Sequence, residues 1–228
     1  VLIDLLTAPV AMVVDALTFL WSAFWLWRIP REDVAPRLDA GPHARLWPTL
    51  KADITVGFLA IWRCPPMRAI ISATCVWYIS AGFFFATFML FMMRELEMPP
   101  SLIGVIISVG GLSALAGSVL AQPMTRWLGY GAAIVASFVV SVSGTLMLIP
   151  AAMLRDWAVL FMVMQQLLGD MGLMVFTVLA VSLQQRLLPD DQLARANGFN
   201  QVINGAGMTA SILLAGWVAE SIGVVNTV

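Results

Sequence analysis

Two acidic residues, Asp15 and Asp170, lie near the middle of long apolar stretches of this sequence. A charged carboxylate is costly in apolar surroundings, so such a group favours its neutral form or a cationic partner. Asp170 is the sharper candidate, because it can take up a proton on one side of a membrane and release it on the other, or pair with a cationic compound. Gln166 lies four residues earlier on the same predicted helical face, where it can bind substrate or orient the carboxyl group.

Each polar candidate also has a structural interpretation. Asp170 can stay protonated and hydrogen-bond a neighbouring helix without any further role. For Asp15 we favour the structural role, with Thr18 one turn later helping to fasten two helices, and a second titrating carboxyl is the alternative. Asn204, in the last apolar stretch, can line a substrate entrance, but we favour a bond between helices, worth about 0.6 kcal/mol.

The sequence carries little other reactive chemistry. Its only histidine, His43, lies in a polar segment, and Cys64 and Cys75 have neither metal-ligand nor disulfide spacing. It contains no Gly-x-x-x-x-Gly-Lys-Ser/Thr phosphate loop. We therefore expect no catalytic residue, no metal and no cofactor, and we do not expect an enzyme. Any energy coupling has to come from an ion gradient.

The composition demands a lipid environment. Of the 228 residues, 61% are hydrophobic and 11% are charged, against about 25% charged in soluble domains. The lipid bilayer is therefore a predicted partner. The 12 basic and 13 acidic residues provide no large basic surface, so we expect no binding of nucleic acid.

Six apolar stretches are each long enough to span a membrane, which takes roughly 20 residues in a helix. They cover about residues 5–27, 69–93, 102–122, 131–153, 157–183 and 200–219. None has the alternating pattern of barrel strands, and lipid offers no partner to unpaired backbone groups. The predicted fold class is an all-α, polytopic membrane helix bundle with six transmembrane helices.

The basic residues predict the orientation of these helices. Ten lie on one side of the predicted bundle: Arg28, Arg31, Arg37, Arg45, Lys51, Arg63, Arg68, Arg126, Arg186 and Arg195. The opposite loops hold only Arg94 and Arg155, so we assign the ten-residue side to the cytoplasm. Both chain ends then lie outside. Since no signal sequence precedes the first span, we expect this chain to be part of a longer protein.

One segment, 28–66, interrupts the apolar pattern. Its first part is charged and rich in proline, which predicts an irregular linker. From Trp47 to Trp62, apolar residues recur at helical spacing and predict an amphipathic helix at the membrane surface. The apolar positions are Trp47, Leu50, Ile54, Phe58, Ile61 and Trp62, opposite Lys51, Asp53 and Thr55.

Aromatic and small residues form two further patterns. The second span carries Trp77, Tyr78, Phe83, Phe84, Phe85 and Phe88. These rings can line a wall for a lipophilic compound, although we favour packing and lipid contact for most of them. Rows of small residues, namely Gly110, Ala114 and Ser118, beside them Ser113, Gly117 and Ala121, and later Gly207, Ser211 and Ala215, predict close helix packing.

Three segments resemble one transporter family. They are 8–23, with its core Asp15-Ala16-Leu17-Thr18-Phe19; 57–68, with Pro65-Pro66-Met67-Arg68; and 184–198, in which Pro189-Asp190-Asp191 precedes Ala194-Arg195-Ala196-Asn197-Gly198. They are similar to the major facilitator superfamily, and within it to the branch of enterobactin exporters and macrolide efflux permeases. Ala194 stands where that branch has glycine.

The turn at 122–131 resembles a degenerate copy of the superfamily motif Gly-x-x-x-Asp-Arg-x-Gly-Arg. It keeps Arg126 and Gly129 but lacks the acidic residue. In the family this segment is a gating loop that acts through charge pairing, so the missing acid puts a complete latch in doubt. Contact of Arg126 with lipid headgroups is the alternative.

The resemblance implies helices six to eleven of a twelve-helix transporter of the cell inner (plasma) membrane. Residues 1–27 would be the last helix of the amino-terminal half, 28–66 the cytoplasmic linker with its amphipathic surface helix, and 67–228 the carboxy-terminal half-bundle of five helices without its final helix.

The implied function is secondary transport by alternating access, with proton-coupled efflux of a lipophilic small molecule. The expected partners are this substrate, the proton, the bilayer and the missing amino-terminal half. A non-transporting membrane scaffold, an accessory subunit or an inactive transporter remnant is the alternative. A channel is disfavoured, because polar groups concentrate in the last two spans instead of forming a stripe through several.

Overall fold

The structure, a computed structural model, describes residues 8–28 and 46–222. The predictions for the linker positions 29–45, which include His43, fall outside the described residues, as do those for the side chains of Trp47, Leu50, Lys51 and Asp53. The chain divides into two compact units, Val1–Leu46 and Trp47–Val228, and each is described by itself.

The described residues form helices and contain no β-strand. The helices are α1 (Ala8–Trp27), α2 (Leu46–Trp62), α3 (Pro65–Leu90), α4 (Pro100–Leu128), α5 (Tyr130–Thr145), α6 (Leu148–Met153), α7 (Ala158–Leu187) and α8 (Asp190–Ile222). A π-helical turn, Phe91–Glu95, extends α3, and a 3-10 turn, Arg155–Trp157, precedes α7. Helices α3 and α4 both begin at proline, whose missing N–H costs nothing at a first helical position.

The all-α membrane helix bundle is confirmed. Five helical stretches are long and apolar enough to cross a membrane: Pro65–Glu95, Pro100–Leu128, Tyr130–Met153, Arg155–Leu187 and Gln192–Ser221. The described part of the first predicted span is α1, whose apolar stretch Met12–Trp27 is shorter than these five. Residues 5–7 of that predicted span lie outside the described residues, so the sixth span stays a prediction.

The helices of the second unit pack in two groups. Helices α4 and α5 lie against α7, and the short α6 also contacts α7, whereas α3 lies against α8. Two clusters of buried apolar residues lie near opposite ends of these packed helices. One contains Phe91, Met92, Ile106 and Met162, and the other contains Ile61, Met67, Phe176 and Ala196.

Small residues stand at the closest helix contacts, as their spacing predicts. On α4 the buried row is Gly110, Ser113, Gly117 and Ala121, while Ala114 and Ser118 are less buried. A Cβ added to Gly117 would lie only 2.6 Å from the carbonyl oxygen of Met171 on α7. Such contacts let two helix backbones approach directly, which lipid-embedded helices need because lipid removes the hydrophobic drive between them.

Helix α2 is present, and Ile61 of its predicted apolar face is buried against the bundle. Phe58 and Trp62 are exposed. A Cβ on Gly57 would lie 2.5 Å from the carbonyl oxygen of Arg195, so α2 crosses α8 in close contact at this glycine. The helix therefore packs on the bundle through Gly57 and Ile61, and its contact with the membrane surface through Phe58 and Trp62 stays a prediction.

Candidate functional site

The middle of α7 is held closely by α5. Gly144 of α5 lies against the backbone of Gly169, and a Cβ on Gly172 would lie 2.5 Å from the backbone nitrogen of Ser141. The hydroxyl of Ser141 donates to the carbonyl oxygen of Gly169 at 3.1 Å. Glycines on both helices therefore bring the two backbones together one residue before Asp170.

Helix α4 holds the other side of α7. The hydroxyl of Ser113 donates to the carbonyl oxygen of Leu167 at 2.8 Å and lies 3.2 Å from that of Gln166. One turn earlier on α4, Gly110 faces the Nε2 of Gln166 and the Oδ2 of Asp170, so closely that a Cβ would collide with both atoms. The two residues predicted from their spacing thus lie together against a glycine.

A cavity of about 350 Å³ opens between α3, α5 and α7. Its lining comprises Val76, Trp77, Ser80, Ala81, Phe84, Phe85, Phe138, Ser141, Val142, Thr145, Gln165, Gly169, Asp170 and Leu173. Of these described lining residues, Asp170 alone has an ionisable side chain. The half-buried carboxyl group of Asp170 therefore lies between Gly110 of α4 and an otherwise mostly apolar cavity.

Aromatic rings form much of the cavity wall. Trp77, Phe84 and Phe85 come from α3 and Phe138 comes from α5. Phe88 instead packs in the core, with its ring 4.4 Å from that of Phe84 between centroids. Half of the six aromatic residues singled out on the second span therefore line the cavity.

Sequence reasoning did not select Gln165, which the structure puts in the cavity wall. Its side chain is only 4% exposed, and among the described residues its Oε1 has no hydrogen-bond partner. A buried polar atom without a partner costs about 1–3 kcal/mol. The available signal was the spacing of Gln165, Gly169 and Gly172, which share one helical face beside the face of Gln166 and Asp170.

A comparison with known protein families shows which family this chain belongs to. The model described as Major Facilitator Superfamily matches residues 1–212. The chain belongs to the major facilitator superfamily. It is therefore a multi-pass membrane protein of a transporter family, and it contacts the bilayer and a small-molecule substrate. No match was found among curated proteins or among solved structures, so the narrower branch suggested by the three segments stays a prediction.

Two other site candidates of this major facilitator transporter lie away from the cavity lining. Asn204 on α8 is buried, and its Oδ1 lies 3.8 Å from the Sγ of Cys75 on α3. In the first unit, Asp15 is exposed, and the hydroxyl of Thr18 donates to the backbone carbonyl of Asp15 at 2.7 Å. Asn204 thus joins α3 to α8, and Thr18 bonds within its own helix.

The predicted gating residues of the transporter lie where α4 ends. Arg126 is exposed in the last turn, and α4 ends at Leu128. Gly129 follows with a φ of 77°, a left-handed conformation that favours glycine, and its N–H donates to the carbonyl oxygen of Thr125 at 3.0 Å. The glycine of the motif is therefore required by the sharp turn between α4 and α5.

A second cavity, of about 500 Å³, lies between α4, the start of α5 and the end of α7. Its lining is mainly polar and comprises Ser118, Gln122, Thr125, Tyr130, Val178, Leu179, Ser182, Gln185 and Arg186. The guanidinium of Arg186 lies over the ring of Tyr130, 4.8 Å from its centroid. This cavity has a cationic lining residue where the first has a carboxyl group.

Proposed function

We propose that this transporter exports a lipophilic small molecule in exchange for protons, and that Asp170 carries the proton. The observation that supports this is the cavity between α3, α5 and α7, whose aromatic wall contains one ionisable group. Apolar walls with few polar groups are typical of small-molecule sites. An ionisable residue inside a membrane bundle most often belongs to an ion or substrate pathway.

The position of Asp170 suits a group that changes its protonation state. Its carboxyl group borders the cavity on one side and Gly110 on the other, and the buried amide of Gln166 lies against the same glycine. A cationic compound pairs with the charged carboxylate, and a proton that neutralises the carboxyl weakens this pairing and releases the compound. Binding of substrate and binding of the proton exclude each other in this way, with Gln166 as the group that orients the carboxyl.

The packing of the bundle suits alternating access. Direct backbone contacts hold α4, α5 and α7 together, while α3 packs with α8, and the cavity lies where the two groups meet. In the proposed cycle this half rocks against the amino-terminal half in the cell inner membrane. The turn at Arg126 and Gly129 serves as the gate, Asp15 is a second titrating group, and Asn204 lines the substrate entrance.

Vesicle transport tests this proposal. Inside-out vesicles that contain the full-length protein would be incubated with acridine, bisbenzimide and rhodamine dyes, and dye uptake above that of protein-free vesicles would be followed with and without a pH gradient. We expect dye uptake that depends on the gradient, and loss of that dependence in Asp170→Asn. The control is Asp156→Asn, since Asp156 is an exposed acid just before α7. Unchanged dependence on pH in Asp170→Asn would overturn the assignment of the proton to this residue.

A further inference from the structure

Gln165 is a buried polar group in the cavity wall that the proposed proton step does not use. It lies in the wall of the cavity, five residues before Asp170 on α7, and its Oε1 has no hydrogen-bond partner among the described residues. A buried amide oxygen that stays unpaired next to a cavity is suited to accept a hydrogen bond from a compound that enters it.

The two serine hydroxyls in the cavity wall donate to other acceptors. The hydroxyl of Ser80 donates to the carbonyl oxygen of Val76 at 3.0 Å, and that of Ser141 donates to the carbonyl oxygen of Gly169 at 3.1 Å. The Oε1 of Gln165 is buried, and the last torsion of a glutamine side chain is soft. Binding of a compound in the cavity therefore requires a turn of this amide that presents its oxygen.

The rest of the cavity restricts what such a compound can be. Trp77, Phe84 and Phe138 offer ring faces and edges, which suit a planar aromatic body. The hydroxyl of Thr145 also lines the cavity, but Asp170 alone can carry a negative charge, and both its carboxyl and the amide oxygen of Gln165 accept hydrogen bonds. The matching compound is thus aromatic and carries N–H donors, with a positive charge that pairs with the carboxylate.

We propose that Gln165 determines which compounds this transporter accepts, by accepting a hydrogen bond from an N–H group of a planar aromatic cation bound in the cavity. This inference rests on the proposed export function for its biological meaning, but it concerns binding alone. It separates two roles on neighbouring residues of α7. Gln165 selects the compound, and Asp170 balances its charge.

A matched pair of dyes tests the role of Gln165. Both 9-aminoacridine, as its protonated form, and 10-methylacridinium are planar monocations, but only the first carries amino hydrogens. Their equilibrium binding to the purified full-length protein would be followed by dye fluorescence. We expect 9-aminoacridine to bind at least tenfold more tightly than 10-methylacridinium. The variant Gln165→Leu should remove this preference and leave the affinity for 10-methylacridinium within about twofold of the original.

Two further variants complete the test. Gln165→Glu keeps an acceptor oxygen at the same position and should keep the preference for 9-aminoacridine, which a purely structural role of Gln165 would not predict. Gln201→Leu makes the same change as Gln165→Leu at an exposed glutamine of α8 and should leave both affinities unchanged. Equal binding of the two dyes, or a preference that survives in Gln165→Leu, would overturn the proposal.

The outcome is separable from that of the transport experiment, because dye binding needs no pH gradient. A preference that depends on Gln165, together with uptake that ignores the gradient, supports this selection and overturns proton coupling. Uptake that depends on the gradient and on Asp170, together with equal binding of the two dyes, overturns this selection and supports the proposed function.

Discussion

The cavity around Asp170 and the cavity around Arg186 are both lined by α7, with the two residues about 24 Å apart along the helix. The first is walled by aromatic rings and has one carboxyl group. The second is walled by hydroxyl and amide groups, and its arginine lies over a tyrosine ring. One helix thus serves two sites of opposite charge and different polarity.

The difference shows that the position of a charged residue along a membrane helix determines how costly its charge is. Arg186 lies in the last turn of α7, where a long cationic side chain reaches the membrane interface at little cost. Asp170 lies near the middle of the same helix and has a short side chain that cannot reach the interface. The charge at the helix end requires no functional explanation, whereas the one in the middle does.

The largest effect expected in this comparison comes from Gly110→Leu. A side chain at position 110 would collide with Gln166 and Asp170, and overpacking of this kind costs about 1–3 kcal/mol. We expect dye uptake to fall more than tenfold and the thermal unfolding temperature in detergent to drop. The matched control is Gly111→Leu, because a Cβ at Gly111 has nothing within 4 Å. Equal behaviour of the two variants would contradict the close contact between α4 and Asp170.

A smaller effect is expected from the aromatic wall. Trp77→Ala removes one ring face from the cavity, and such an aromatic contact is worth about 0.5–1.5 kcal/mol beyond its buried area. Binding of 9-aminoacridine should therefore weaken by about three- to tenfold, as measured by fluorescence titration. Trp127→Ala is the control, since Trp127 is exposed and outside the lining. If both tryptophan variants weaken binding equally, the dye does not bind in this cavity.

For the polar cavity around Arg186 we expect a loss of stability without a change in the pH dependence of dye uptake. Arg186→Gln removes the contact with Tyr130, and an exposed cation-π contact contributes about 0.5–1 kcal/mol. We expect a small loss of thermal stability in detergent, with the pH dependence of dye uptake unchanged, because no proton is assigned to this cavity. A shift of the pH profile similar to that of Asp170→Asn would break the distinction between the two cavities.

The helices and the pairing of the two central polar residues followed from local patterns. Apolar stretches of spanning length predicted α3, α4, α5, α7 and α8, since lipid leaves the backbone only one way to satisfy its hydrogen bonds. The spacing of Gln166 and Asp170 predicted that they share a face, and both lie against Gly110. Their roles in transport stay predictions.

The cavity and its second glutamine did not follow from the sequence. Which face of α7 touches α4, which touches α5 and which stays open depends on contacts between helices far apart in the chain. Gln165 and Gln166 are neighbours of the same type, yet only Gln165 lines the cavity. Helix α2 shows the same limit, because its apolar pattern did not predict the close approach of Gly57 to the backbone of Arg195 on α8.

The smallest change in stability is expected from the hydrogen bond between Ser141 and Gly169, two residues that line the aromatic cavity. The hydroxyl of Ser141 donates from α5 to the carbonyl oxygen of Gly169 on α7, whereas that of Ser143 donates to the carbonyl oxygen of Val140 within α5. Hydrogen bonds between membrane helices average about 0.6 kcal/mol. Ser141→Ala should therefore lower the free energy of unfolding by about that amount, and Ser143→Ala should lower it by less.

The same pair of variants separates the effect on stability from the effect on dye binding. Since Ser141 also lines the cavity, its loss should change the dye affinity slightly while Ser143→Ala leaves it unchanged, as measured by the same titration. A larger loss of stability in Ser143→Ala would show that bonds within α5 matter more than its contact with α7. The aromatic cavity would then owe its shape to the helices themselves and not to the hydroxyl that joins them.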